Sequence, residues 1–313
     1  MSELLKSIDG RTKLAGTNKL EILLFTLGCD TISGRNETFG INVFKVREVM
    51  RKPDITRAPE MPPAVEGMVS LRGALVPVID LAKYAGIAVQ AKPGVMIVTE
   101  YNGHTQGFLV EAVDTIVRLD WTVMKVPPAM LSLQMGGLIT AVSELPGGRL
   151  MMMMDVEKVL ADTAHLDNDM LYQAIHPLGV SNRMVYFADD SSIARKQIER
   201  TLDAMQVKYR SAPNGRQAWT ELQRIADTAS AAGKTVPDYV QLILTDVEMP
   251  EMDGYMLTKH IKSDARFSGI PIIMHSSLSG MSNQALGKSV GVDEYVPKFE
   301  PLRLAETLMR LLS

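Results

Sequence analysis

The sequence predicts two domains of different class: an N-terminal all-β unit built as paired small barrels, and a C-terminal α/β unit doubly wound around a parallel sheet. Three observations carry this. A chain of 313 residues, 46% of them hydrophobic, has the length of about two domains and enough apolar side chain for two cores. Residues 18–161 break into short apolar runs at roughly ten-residue spacing, punctuated by Gly, Asn and Pro, which is the rhythm of an all-β domain. Residues 184–313 instead alternate strand-like apolar runs with helix-like segments, the pattern of parallel βαβ units. Between the two, 162–183 is polar and reads as a linker, and 1–17 reads as an N-terminal arm.

The strands of the first half follow in order as EILLFTLG, FGINVFKV, GALVPVIDL, GVMIVTEY, TQGFLVEAV, DTIVRLD, LITAVSEL and RLMMMMDV. The run Met151–Met154 reads as a buried strand, because methionine fills irregular core space. His104 has no ligand-spaced partners, and no catalytic cluster stands out in this half. In the second half MVYFA (184–188), VQLIL (240–244), IPIIM (270–274) and 295–296 read as strands. A helix over 191–205 places Ile193, Ile198, Leu202 and Met205 near one face, with Ser191 or Asp190 available as its N-cap. A Pro-led helix at 301–312 aligns Leu304, Leu308 and Leu311. The stretch 220–237 calls for an extended helix or loop. Its AAGKT (231–235) resembles the tail of a phosphate-binding loop, but Thr228 stands where that motif needs glycine.

Bulk properties exclude several classes. The single cysteine, Cys29, has no partner for an internal disulfide, and MSELLKSIDGRTK carries no apolar stretch, so a cytoplasmic, reducing compartment is expected. No run approaches the length of a membrane span. A net charge of −3 with interspersed signs gives no reason to expect nucleic-acid binding.

Chemistry gathers where strands of the second half end. Asp189 and Asp190 follow VYFA, Asp246 follows LILT, Ser276 and Ser277 follow IIMH, and Lys298 follows YVP. Open α/β sheets bind ligands outside the carboxyl ends of their strands. Three carboxylates converging there are costly unless a cation sits among them, and a hard divalent ion such as Mg²⁺ takes this kind of oxygen donor set. One carboxylate could then attack a phosphoryl group polarised by the ion. Haloacid dehalogenase-like phosphohydrolases share a strand-terminal Asp nucleophile but need Asp-x-Asp, and this chain reads Asp246-Val247-Glu248.

The words FADDS, LTDVEMPEMDG, PIIMHSS and EYVPK resemble the signature of two-component receiver domains, covering 184–313 with a flavodoxin-like fold. The resemblance implies that Asp246 is the phosphoacceptor for a histidine kinase's phosphohistidine. It implies Mg²⁺ held by Asp190, Asp246 and the Glu248 carbonyl, with Asp189 acting through water. Ser276 takes the position that hydrogen-bonds the phosphoryl group, Lys298 is the pairing lysine, and Tyr295 is the aromatic switch. Where the family reads Lys-Pro, this chain reads Pro297-Lys298-Phe299, with Tyr295 still three residues ahead of the lysine.

In the first half, FGINVFKVREV and TRAPEMPPAVEGMVSLRGALVPVIDL resemble CheW-like coupling domains over about 18–160. That family bridges the cytoplasmic tips of chemoreceptors to the histidine kinase CheA, and its partner-contact positions fall on Val46, Gly67 and Arg72. The loop CDTISGRNET is longer than the family usually carries. A CheW-like domain ahead of a receiver resembles the CheV-type coupling family. The resemblance implies an adaptor at receptor arrays on the inner face of the membrane, regulated by phosphorylation for adaptation. The alternatives are a phosphate sink for the kinase and a structural adaptor with a vestigial receiver. On each of these readings the protein is not a stand-alone enzyme, since the resemblance implies that the receiver catalyses its own phosphoryl transfer from the kinase phosphohistidine.

Overall fold

Ten strands of the first unit form two five-stranded sheets. They are β1 (Lys19–Thr26), β2 (Thr38–Asn42), β3 (Val46–Arg51), β4 (Val65–Leu71), β5 (Ala74–Asp80), β6 (Val95–Tyr101), β7 (His104–Val110), β8 (Ala112–Asp120), β9 (Ile139–Glu144) and β10 (Leu150–Met154). The sheets run β8-β1-β2-β10-β9 and β3-β6-β7-β5-β4, and short helices α1 (Leu81–Tyr84), α2 (Ala129–Gln134) and α3 (Val156–Ala164) accompany them. The computed structural model describes residues 19–57, 59–101, 104–164, 169–179, 182–277 and 281–313. The expected arm at 1–17 lies outside the described residues. The chain divides into units covering 20–165 and 166–313.

The methionine run is β10, paired parallel to β2 and antiparallel to β9. Met151, Met153 and Met154 are buried. Gly40 in β2 makes room for this packing, since a Cβ there would stand 2.5 Å from Ile22 Cγ2 and 2.8 Å from Met151 Sδ. The second sheet has its own core of Val69, Val76, Val78, Met96, Val98 and Leu109.

The second unit holds α4 (Asp169–Gln173), β11 (Met184–Ala188), α5 (Ser192–Ala204), β12 (Lys208–Ala212), α6 (Gly215–Ala231), β13 (Leu242–Thr245), α7 (Gly254–Ser263), β14 (Ile272–Ser276), α8 (Met281–Val290), β15 (Glu294–Pro297) and α9 (Pro301–Leu312). Its sheet runs β12-β11-β13-β14-β15 with every pairing parallel. This is the flavodoxin-like order, whose switch point lies where the chain reverses direction beside the first strand.

Because side chains alternate along a strand, Val185, Phe187, Leu244, Ile273 and Val296 face one way, against Ile198, Leu202, Leu304 and Leu308 of α5 and α9. Tyr186, Ile243 and Ile272 face the other way, against Leu222, Leu257 and Ile261 of α6 and α7. Ser191 is the N-cap of α5, accepting from Ala194 N. The long stretch at 220–237 is the second part of the 17-residue α6 followed by a short 3₁₀ turn, Val236–Asp238. AAGKT therefore spans a helix C-terminus, with Gly233 at φ +63°, so the amides that would cradle a phosphate at a helix N-terminus are not presented there.

Within the stretch read as a linker, 169–173 is helical and Ile175 is buried in the receiver's core. Polar composition concealed this, because the anchoring side chains are few and widely spaced.

Candidate functional site

Two strand ends bring the acidic residues together, and a third brings a lysine to them. Asp246, 1% exposed, leaves β13 with its backbone N–H still bonded to Ala188 O at 2.8 Å, which ties it to the end of β11. Asp189 and Asp190 follow β11 directly. Carboxylate oxygens of Asp189, Asp190 and Asp246 all lie within 4.8 Å of one another. Lys298, 1% exposed, reaches in from beyond β15. Its Nζ stands 2.9 Å from Asp246 Oδ2 and 3.0 Å from Asp189 Oδ2. Asp246 Oδ1 accepts from Val247 N at 2.6 Å, and Asp189 Oδ1 accepts from Ser191 N at 2.9 Å.

Charges buried in this way hold only when paired and hydrogen-bonded. Here three carboxylates face one ammonium, leaving two formal negative charges in a small space. An all-oxygen donor set with that charge fits a hard divalent cation. Asp190, half-buried at the rim, gives such an ion access from solvent.

The surrounding chain fixes the geometry. Gly254, which opens α7, lies so close to Asp246 that a Cβ would stand 1.9 Å from its carbonyl oxygen. Asp253 caps α7 by accepting from Met256 N at 2.7 Å, and Thr245 Oγ1 donates to Asp246 O at 2.9 Å. Arg195 Nη1 donates to both Asp189 O at 2.8 Å and Asp190 O at 3.0 Å. A cation in the first turn of α5 opposes the helix dipole, and these two bonds account for its place.

Ser276 ends β14 fully buried, and Ser277 Oγ beside it is buried with no hydrogen-bond partner among the described residues. The hydroxyls of Ser276 and Tyr295 are hydrogen-bonded, and burial pushes the Tyr295 phenol well above its ordinary range. Tyr255 is pushed up in the same way by burial, with the charges of Tyr295, Asp253, Glu248 and Asp246 adding to the effect. Glu248 is buried, and Phe299, after Lys298, takes φ +63°.

The sequence signals reach Asp189, Asp190, Asp246, Ser276, Lys298 and Tyr295. Arg195 and Tyr255 are additional. Arg195 is detectable as a wrong-sign charge at a helix start, and Tyr255 only through tertiary burial.

The three candidate contact positions of the first unit are not equivalent. Arg72 has a side chain 70% exposed and pairs with Glu48 at 3.0 Å. With φ +51° followed by Gly73 at +85°, it forms the two-residue turn that joins β4 to β5, a geometry requiring positive φ at both positions. Val46 is only 8% exposed. Gly67, also buried, sits at φ +140°, and a Cβ would meet Thr56 O at 2.2 Å. For Gly67 the backbone alone demands glycine.

A parallel sheet of this order, with an acidic triad, a serine and a lysine at its strand ends, defines a phosphorylation-type signalling receiver, here behind a two-sheet coupling domain. Residues 21–164 match the CheW-like domain family, and residues 185–309 match the response regulator receiver domain family. Along 100% of its length the chain is 28% identical to chemotaxis protein CheV1 of Helicobacter pylori, covering 99% of that protein. Half of the chain is 32% identical to chemotaxis protein CheW of Klebsiella aerogenes, covering 93% of it. A further 40% is 36% identical to chemotaxis protein CheY1 of Helicobacter pylori, again covering 93%. The chain is a chemotaxis coupling adaptor of the CheW-like family that also carries a response regulator receiver domain, the layout of the CheV proteins it is similar to over nearly its full length. Among the described residues no helix is long and apolar enough to cross a membrane.

Proposed function

We propose that this chain couples chemoreceptors to the histidine kinase CheA, in arrays at the cytoplasmic face of the membrane, and that Mg²⁺-dependent phosphorylation of Asp246 adjusts the coupling. The observation that carries the reading is the buried convergence of Asp246, Asp189, Asp190 and Lys298 at the sheet's switch point. Coupling alone needs no such site, and four buried charged or half-buried acidic groups have a large desolvation cost.

Asp190, Asp246 and the Glu248 carbonyl would hold Mg²⁺, with Asp189 acting through water, and the ion would supply charge neutralisation for an incoming phosphoryl group. An oxygen of the Asp246 carboxylate attacks phosphorus. The P–N bond to the donor imidazole breaks, and its electron pair stays on the leaving nitrogen, which is protonated by solvent. Lys298, already on Asp246 Oδ2, follows the charge onto the phosphoryl oxygens. Ser276 donates its hydroxyl hydrogen to one of them. A serine carries a single proton, so this changes its present partnership with Tyr295 and links the chemistry to the switch aromatic.

Of the three candidate contact positions, Arg72, exposed on its two-residue turn, is the one that offers a side chain openly to a partner. Val46 and Gly67 are buried and offer no exposed side chain there.

Phosphoryl transfer from a radiolabelled, autophosphorylated chemotaxis kinase tests the reading. Label should appear on the wild-type chain with Mg²⁺ and be absent from Asp246→Ala. A lifetime long compared with kinase turnover marks a switch, and rapid loss marks a phosphate sink. No label from a cognate kinase overturns the regulatory role and leaves a structural adaptor.

A further inference from the structure

Residues 169–178 are held against the receiver by four contacts of different chemistry. Ile175, 7% exposed, joins the core shared by Leu202, Val296, Leu304 and Leu308. The Arg200 guanidinium lies over the Tyr172 ring, 4.0 Å from its centroid. Arg200 also donates to the Asp169 carboxylate, and Leu178 N donates to Met205 O at 2.9 Å. A passive tether needs none of these. Met170 on the same short helix remains exposed, so the docking is one-sided.

The core they join extends to the strand that carries the proposed switch. Val296, which shares a core with Ile175, is flanked by Tyr295 and stands two residues before Lys298. Leu304 and Leu308 belong to α9, the helix that follows. A movement of Lys298 and Tyr295 toward a phosphoryl group therefore acts on the packing that receives Ile175. Packed cores change between discrete arrangements rather than deforming smoothly, so a small shift in this packing can undock the segment.

We propose that 169–178 is a latch: docked on α5 and α9 while Asp246 is bare, and released when it is phosphorylated. Release adds ten residues to the chain leading into the receiver, or roughly 35 Å of reach when extended. That changes the effective concentration of the receiver at the coupling unit's partners. The latch rests on the phosphoryl-accepting role of Asp246 and deepens it, because it supplies the output of that site.

Linkage gives the test. If phosphorylation loosens the latch, then breaking the latch must favour the phosphorylated state by the same factor. Beryllofluoride with Mg²⁺, a phosphoryl analogue, is titrated into the full chain, into Ile175→Ser and into Arg200→Ala, with Asp246→Asn as control. Amide exchange is followed at 169–178 and at 270–298.

The expected result is exchange at 169–178 about tenfold faster with the analogue, and analogue binding tighter by up to the same factor, about tenfold, in both variants. Arg200→Ala keeps the test valid if Ile175→Ser fails to fold, and a segment that merely props up the receiver would make binding weaker instead. Exchange that changes at 270–298 but not at 169–178 overturns the latch alone. A wild-type chain that takes up no analogue overturns the phosphoryl-accepting role and the latch together.

Discussion

Replacing Lys298 by Met tests whether the site is poised for a divalent cation. The substitution keeps an unbranched side chain of similar length and removes the one ammonium that pairs with Asp189 and Asp246, at 3.0 and 2.9 Å. Both carboxylates are buried, and removing one partner from a buried ion pair costs about 3–5 kcal/mol because the other charge is left uncompensated. In chelator, Lys298→Met should lose about that much stability. Mg²⁺ should then restore it by mass action, returning about 2.7 kcal/mol at one hundred times its dissociation constant. The assay is urea unfolding of the full chain in a Trp121→Phe background, where Trp219, in α6, is the only remaining tryptophan and reports on the receiver alone. A loss below about 1 kcal/mol, the range of an exposed pair, would refute the reasoning, as would unfolding curves of the variant that coincide with and without Mg²⁺.

Gly254→Ala should cost several kcal/mol, roughly the scale of overpacking a tight core, and abolish labelling of Asp246, because its Cβ would stand 1.9 Å from the Asp246 carbonyl oxygen; circular dichroism melts and label transfer check both. Gln206→Gly should stabilise the receiver by about 1 kcal/mol, since Gln206 holds φ +57° just past α5, where glycine has no steric penalty; urea midpoints measure it. Gly67→Ala should unfold or loosen the coupling unit, whereas Arg72→Ala should leave its melting temperature within about a degree while weakening capture by receptor–kinase complexes; the two separate a backbone requirement from a contact. Hydrogen bonds from Arg266 hold the Asp264 carboxyl below its ordinary range. Its contribution is thus complete above the unfolded-state value of about 3.9 and is lost as pH falls through the folded-state value. Wild type should exceed Asp264→Asn in stability at pH 7, and the difference should close on acidification below pH 4.

Where one physical signal dominated, the sequence was legible. MVYFA appears as β11 without adjustment, because a central parallel strand is buried on both faces and reads as an unbroken apolar run. Strand-terminal polar residues were legible for the same reason, since the end of such a run marks where the backbone meets solvent and ligand.

The edge strand β12, Lys208–Ala212, carries no such run. Lys208, Arg210 and Ser211 are exposed, and an edge strand pairs on one side only. The parallel pairing of β10 with β2 joins residues more than a hundred positions apart, and nothing local encodes it. The docking of Ile175 and Tyr172 was hidden in a polar segment, where a single buried side chain, Ile175, leaves no periodic trace. Arg72 shows how a motif can carry two meanings. Its word LRG is a turn by backbone geometry and a contact position by family resemblance, and only the exposed guanidinium leaves the second open.

On the proposed reading, Lys298 is the group through which phosphorylation of Asp246 becomes conformation. In the bare state it is shared between Asp189 and Asp246, held between two negative charges of equal size. A phosphoryl group changes that balance by concentrating about −1.5 to −2 charge on three acceptor oxygens, so Lys298 must favour the new charge over Asp189. Ser276 is drawn the same way, and it currently shares a hydrogen bond with Tyr295. Both ends of β15 are then under tension from one event, Tyr295 near its start and Lys298 just past its end. Val296 lies between them and packs into the core that holds Ile175. On the proposed reading β15 is thus pulled at both ends, and through Val296 it belongs to the same core as Ile175 in the chain leading back to the coupling unit.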